Sequence, residues 1–379
     1  MRKTRVTSMP MFFIFLCLLS SAVAQQLAET FQPSDDLLQP FGLQDKRIKA
    51  LASEAQDRTF GLKPSTKLFA GTFNEGVFEN SPFGGSGDWI SLGLEKKNIS
   101  CLSVQRWGVG PADGLTLYAG ILPLGSIDTV NMALLYKREL IIARDSTWVP
   151  ADTGIDRKTT EWIEAINSYY FTGHTPPQPL ISGGSTGIYQ GHGNVIWSKA
   201  FAAENLWIHA IDVTPHWFGA LAWAAGTPAS FPAPVALKST DQGKNWSVHY
   251  LPYAMSDDAL SVAIDPRSPD TVYIGYANGL VLMTTDGGGN WRSTSLQQPL
   301  VRLTALAVHP LAPEHVFVGG VRANNGFAFY HSKDGGATWT EISPPSGQQP
   351  AGVSSIVVMD TGTARRQSFV FIGTFGTGV

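Results

Sequence analysis

Cysteine is nearly absent from this 379-residue chain, which has two. Cys17 lies in a stretch that reads as a cleaved leader, leaving Cys101 alone. That excludes an intrachain disulfide, so a hydrophobic core must hold the fold together. The apolar run ISCLSV around Cys101 makes it a buried strand thiol rather than a nucleophile. Charge is scarce as well, at 15% of residues. Without the leader's Arg2, Lys3 and Arg5, the 27 basic residues fall to 24 against 30 acidic ones, a formal charge of −6. A mildly acidic chain of this kind is a poor candidate for nucleic acid or anionic membrane, and no nucleic-acid partner is expected. Past the leader, no apolar run is long enough to span a bilayer.

The leader is defined by a basic start, an apolar stretch (Met11–Leu19) and the small residues Ala22-Val23-Ala24 before Gln25. This is the pattern of a secretory signal peptide. Leu16 before Cys17 does not suit a lipoprotein site. The expected organisation is a signal peptide over 1–24, an N-terminal segment over 25–46 and one domain over 47–379, in a secreted or periplasmic protein. Glycine (39) and proline (24) are abundant and 11% of residues are aromatic, a composition that leans to an all-β fold with many tight turns.

An internal repeat organises the rest. AIDPRSPDTVYIG (263–275) recurs as AVHPLAPEHVFVG (307–319), and each is followed by a short strand and an acid-glycine-tryptophan turn. The turns are STDQGKNW (239–246), TTDGGGNW (284–291) and SKDGGATW (332–339), whose acids lie 45 and 48 residues apart, the period of a four-stranded propeller blade. Trp89, Trp148, Trp197, Trp246, Trp291 and Trp339 extend the period upstream at 45 to 59 residues. Seven copies of an alternating apolar strand precede seven copies of a second strand ending in small residues. The expectation is a seven-bladed β-propeller whose last blade is incomplete at the C-terminus, since the seventh unit stops at GTGV, as though the chain were cut short of its natural end. FGLQDKRIKAL (41–51) matches LGLEKKNISCL (92–102), so the residues before Arg47 read as a fourth strand available to close the last blade. Pairing the two ends would cover an otherwise open sheet edge.

In TTDGGGNW, the Asp286 carboxylate can accept backbone N–H bonds and Gly288 supplies a positive φ, so the motif reads as a turn. It lacks the Lys-Ser/Thr of a phosphate loop and the alternating acids and closing Glu of a calcium loop. These turns resemble the Asp-box, or BNR, repeat: Ser/Thr-x-Asp-x-Gly-x-Ser/Thr-Trp. The match is complete at Ser332, Asp334, Gly336, Thr338 and Trp339. It is nearly so at Asp241, Gly243 and Trp246 and at Asp286, Gly288 and Trp291, where Asn245 and Asn290 replace the Ser/Thr. Proteins with this repeat include sialidases, xyloglucan-cleaving hydrolases, sortilin-type receptors and a photosystem assembly factor, so the resemblance implies fold far more than function. It also implies that the boxes join strands three and four on one face, as structural turns, while ligands meet the opposite face.

No catalytic motif emerges. The Phe/Tyr-Arg-Ile/Val-Pro tetrapeptide of sialidases is missing, FGLK and QRWG being the nearest stretches. An inverting glycosidase needs two carboxylates across a cleft. Asp257, Asp258 and Asp156 are the catalytic candidates, with Asp128, Asp152 and Glu161 also in loops of the ligand face. His174, His192, His209 and His315 show no metal-ligand spacing with a nearby acid, so neither metal nor cofactor is expected. Tyr253, Phe231, Arg322, Asn324 and Asn325 offer aromatic area and polar groups suited to a carbohydrate or protein ligand. A binding or scaffold protein is therefore the first reading and a glycoside hydrolase the second.

Overall fold

The computed structural model describes residues 41–43, 46–53, 67–81, 88–107, 114–123, 132–141, 144–157, 159–168, 180–192, 196–201, 206–216, 219–228, 234–252, 258–294, 296, 300, 302–344, 350–360 and 368–376. The leader, most of the expected closing segment, Asp128, His174, Phe231, Tyr253 and Asp257 lie outside them.

The alternating apolar segments are strands, joined as antiparallel meanders in chain order. The first sheet holds β1 (Ile48–Ser53), β2 (Leu68–Thr72), β3 (Val77–Asn80) and β4 (Ile90–Gly93). The second has five strands: β5 (Ile99–Trp107), β6 (Gly114–Ile121), β7 (Leu135–Ile141), β8 (Arg144–Asp145) and β9 (Val149–Pro150). Four-stranded sheets follow over β10–β13, β14–β17, β18–β21 and β22–β25, led by β10 (Ile163–Ser168), β14 (Leu206–His216), β18 (Ala259–Ile264) and β22 (Arg302–Val308). The last sheet pairs only β26 (Val353–Asp360) with β27 (Ser368–Thr374). The protein is an all-β propeller. Its described residues make six full blades rather than the seven expected, because only Phe375 and Gly376 are described beyond β27. One 3₁₀ turn, Ala323–Asn325, is the sole helical element among the described residues.

The first strand of each sheet packs against the first strand of the next, and β26 lies against both β22 and β1. All seven first strands line an axial cavity of about 320 Å³. Each carries a β-bulge at the same register, placing Lys49, Ser100, Glu164, His209, Leu260, Thr304 and Ser354 in equivalent slots. The residue before each bulge is fully buried and apolar: Ile48, Ile99, Ile163, Ile208, Ala259, Leu303 and Val353. Burying such an aliphatic side chain stabilises the fold by roughly 1.5–3 kcal/mol.

The small residues that end each second strand make room for it. A Cβ on Gly71 would stand 2.5 Å from Ile99, and one on Gly183 2.4 Å from Ile208. The corresponding distances are 2.3 Å for Gly275 and Leu303, and 2.4 Å for Gly319 and Val353. Between the last sheet and the first, a Cβ on Gly373 would stand 2.6 Å from Ile48. In the fourth sheet the equivalent position is Ala225, and there the incoming residue is Ala259 instead of a branched aliphatic. A larger floor meets a smaller knob.

Four of the six periodic tryptophans bond to a neighbouring unit, whereas Trp246 Nε1 donates to Gly243 O of its own turn (3.0 Å). Trp148 Nε1 donates to Leu92 O (2.7 Å), Trp197 Nε1 to Ala151 O (2.6 Å) and Trp339 Nε1 to Thr294 Oγ1 (2.8 Å), each partner lying in the preceding blade. Trp89 Nε1 makes the same bond to Phe41 O, at 3.2 Å. Gly42 and Leu43 have φ of 125° and 51°, close to the 102° and 62° of Gly93 and Leu94. The chain thus turns into β1 as it turns from β4 into β5. Phe41 also packs edge-on against Phe371 of β27, at 5.0 Å.

Candidate functional site

Antiparallel meanders put the loops into each first strand, and those between second and third strands, on one face, here called upper. The turns between third and fourth strands lie on the lower face. The three boxes are lower-face turns between β16 (Val235–Ser239) and β17 (Ser247–Tyr250), β20 (Val281–Thr284) and β21 (Arg292–Thr294), and β24 (Phe327–Ser332) and β25 (Thr340–Glu341).

Each box closes on itself. In the third, Ser332 Oγ donates to Asp334 Oδ1 (2.8 Å) and accepts from Gly336 N (2.7 Å), while Thr338 N donates to Asp334 Oδ1 (2.8 Å) and Thr338 Oγ1 to Oδ2 (2.6 Å). In the other two, Asn245 Nδ2 and Asn290 Nδ2 replace the hydroxyl, each donating to the Oδ2 of Asp241 or Asp286 at 2.7 Å. A side-chain amide is a donor like a hydroxyl, which explains why the motif tolerates asparagine. Gly243, Gly288 and Gly336 have φ of 83°, 96° and 85°, the left-handed region that favours glycine. The bonds from Thr338 hold the Asp334 carboxyl down to about 2, and those from Asn290 hold Asp286 at about 2. Burial opposes ionisation of Asp241, but the bonds from Asn245 and Ser239 outweigh it and its carboxyl also lies low.

Replacing Ser332 by Ala is expected to destabilise the protein by about 1–3 kcal/mol, because its fully buried oxygen is the acceptor for Gly336 N. Asp334→Ala, at a solvent-facing carboxylate, should cost less, about 1 kcal/mol. Thermal melts of both variants check the order; an equal or reversed ranking would show that the carboxylate, not the buried hydroxyl, holds the turn.

The upper face carries the described candidates. Asp156, exposed, precedes β10 and closes its own turn, its carbonyl accepting from Thr160 N (2.9 Å) and its Oδ2 from Thr159 Oγ1 (3.1 Å). Nearby Asp152 is 2% exposed, accepting from Leu134 N and pairing with Arg157. Asp258, half-buried, precedes β18, and its carbonyl accepts from Ala277 N. Asp156 and Asp258 lead into the third and fifth blades, with the fourth between them. Arg322 follows β23 (Val316–Val321); its guanidinium pairs with Glu341 (2.6 Å) and donates to Tyr330 Oη (3.1 Å), and the bond to Glu341 reinforces its charge. Asn324 lies in the 3₁₀ turn; Asn325, at φ 57°, ends it and accepts from Gly352 N. Arg322 and Asn325 thus brace the loop they stand in.

Other residues stand closer to the axis. Trp162 and Trp207, at the starts of β10 and β14, have ring centroids 6.0 Å apart and planes inclined by 59°. In the bulge slots of those strands, Glu164 Oε2 and His209 Nδ1 are 3.0 Å apart. Burial opposes ionisation of Glu164, but the hydrogen bond and charge of His209, with Lys49 and Arg302, outweigh it and hold its carboxyl below the usual range. The signal for this cluster lay in aligning the seven first strands, where Lys49, Glu164 and His209 fall in one column.

Fold and boxes together make the chain an Asp-box β-propeller. The model of the Sortilin-Vps10 family, described as sortilin, neurotensin receptor 3, matches residues 235–349, the stretch that holds all three boxes. No curated protein matches the chain. Two of the similar solved structures are of YCF48. One, described as YCF48 bound to D1 peptide, is 13% identical with a TM-score of 0.55, over 92% of this chain and 96% of that one. The other, YCF48 from Cyanidioschyzon merolae, is 13% identical with a TM-score of 0.57, over 89% and 95%. At that identity the likeness is one of fold.

Proposed function

We propose that this protein is an exported binding or scaffold propeller that takes a carbohydrate or protein ligand on its upper face. The observation that carries this reading is the composition of the upper rim of the axis. Two tryptophans, one of them 37% exposed, share it with Arg302, while every box carboxylate is engaged in its own turn. Export rests on residues 1–24, whose pattern is that of a leader. A protein segment belongs among the ligands to be tried because a propeller of similar fold has been solved as YCF48 bound to D1 peptide. The test is calorimetric titration of the mature chain with neutral and acidic oligosaccharides and with peptides, alongside assays for glycoside hydrolysis. Saturable binding without turnover supports the proposal. Hydrolysis abolished by Asp258→Asn would replace it with the hydrolase reading.

The ring itself belongs to this proposal. We take the β26–β27 sheet as a seventh blade, closed from the N-terminal side by the segment just before Arg47. Support comes from Ile48 filling the niche of Gly373, from Phe41 against Phe371, and from the Gly42-Leu43 corner that repeats Gly93-Leu94. Deleting residues 25–43 is then expected to lower the melting temperature and promote aggregation. A deletion variant as stable and monomeric as its parent would rule the closure out.

A further inference from the structure

The upper mouth of the axis is chemically two-sided. On the side of β10 and β14, adjacent strands each open on a tryptophan, and Trp162 and Trp207 meet at an angle. Beneath them Glu164 and His209 are joined through Nδ1. The Glu164 carboxylate lies in the field of Lys49 on β1 and of Arg302 on β22, strands that sit on either side of β26 in the ring. Two cations therefore face one carboxylate, and that carboxylate is already bonded to His209. His209 has a side chain 10% exposed, and its buried Nε2 meets no partner among the described residues.

Each part narrows the ligand. Lys49 and Arg302, which both act on Glu164, call for an anionic group. The indoles, Trp207 exposed and Trp162 half-buried, call for an apolar face as well, which a simple inorganic anion does not offer. Rings inclined by 59° form a bent wall, not a parallel slot, so they cannot clasp a flat base between them. A pyranose chair, with C–H bonds on one face, hydroxyls at its rim and a carboxylate at C5, meets all three demands. We infer that the mouth formed by Trp162, Trp207, His209, Lys49 and Arg302 is a subsite for a uronic-acid sugar, stacked on the indoles with its carboxylate towards the two cations. This rests on the binding function proposed above and names the ligand class for it.

The experiment is calorimetry on the mature chain with four probes: tetragalacturonate, tetraglucuronate, neutral cellotetraose and an acidic hexapeptide of Glu and Asp. At least one uronate should bind tenfold or more tightly than cellotetraose, and lose several-fold in affinity when salt rises from 50 to 300 mM. Trp207→Ala and Arg302→Gln should each weaken it about tenfold or more. Arg302 is exposed, so its variant keeps the test valid should the tryptophan variant fold poorly, which melting curves reveal. Equal binding of cellotetraose, or uronate binding indifferent to both substitutions, overturns the inference. Binding of the hexapeptide but of neither uronate also overturns it while leaving the binding function in place; if no probe and no wider panel member binds, both fall.

Discussion

Acidification from pH 7 to pH 5 is expected to remove about 4 kcal/mol of folding stability through His309 and His331 alone. Three histidines cluster inside the sixth blade: His315 and His331 stack, with His315 Nδ1 2.8 Å from His331 Nε2, and His309 lies tilted to His315 at 6.2 Å between ring centroids. Their exposures are 1%, 8% and 5% for His309, His315 and His331. Burial, reinforced by the neighbouring rings, pushes His309 down to about 3 and His331 down to about 4, and burial lowers His315 too. Glu314 works to raise His315, while Lys333 lowers it and His331.

The folded state thus holds these rings neutral where the unfolded chain, titrating near 6.5, takes up protons. Stability present above 6.5 is lost as pH falls from there towards the folded values, by about 2 kcal/mol per ring between pH 7 and 5. Carboxylates such as Asp286 and Asp334 act in a lower window, below their ordinary 3.8. Denaturant melts at pH 7 and 5 measure the loss, and His309→Asn separates its source. His309 Nδ1 accepts from Leu311 N and Ala312 N, both at 3.1 Å, as Asp265 Oδ1 accepts from Arg267 N and Ser268 N in the preceding blade. Asparagine keeps an acceptor and removes the titration, so its pH dependence should be shallower than the parent's. A midpoint that does not move between the two pH values, or an unchanged slope in His309→Asn, would sink this account.

The second large effect concerns the glycine niches. Gly319→Val is expected to abolish folding, because its branched side chain would occupy the space held by Val353 of the next sheet, which lies 2.4 Å from a Cβ. The Ala225–Ala259 contact allows a finer test. Ala259→Ile should overpack it and destabilise by about 1–3 kcal/mol. Adding Ala225→Gly rebuilds the glycine-and-aliphatic pairing of the other niches, so the double variant should recover part of that loss. Two residues in contact should couple by about 0.5 kcal/mol or more in the cycle. Strict additivity would mean that the two alanines do not compensate each other.

What the sequence discloses here depends on how far apart the partners lie. The boxes were readable because donor, acceptor and positive-φ glycine all fall within eight residues, as in Ser332–Trp339. Strands were readable from alternation, and the small residues after them, such as Gly183, stood out without their purpose being visible. That purpose is Ile208, which reaches Gly183 only once two blades stack. The tryptophans mark the repeat period in the sequence, but nothing there shows that Trp148 and Trp197 bond to the blade before their own. Arg322 looked like a ligand residue in a loop, but its partner Glu341 comes from the other end of the meander. Seven repeats also suggested seven blades with the last incomplete, whereas the described residues make six blades and two strands of the seventh unit. Glu164 and His209 are 45 positions apart, and no local pattern pairs them.

The indole bonds give the repeats an order that their sequences conceal. Trp89, Trp148, Trp197 and Trp339 all reach backwards, never forwards, around the ring. Three of the four acceptors are backbone carbonyls, which any residue supplies, so a moved blade keeps these bonds wherever the preceding chain follows the same path. Trp339 alone of the four, through the Thr294 hydroxyl, addresses its blade to a particular residue of the neighbour upstream, and a permuted gene would have to keep those two together.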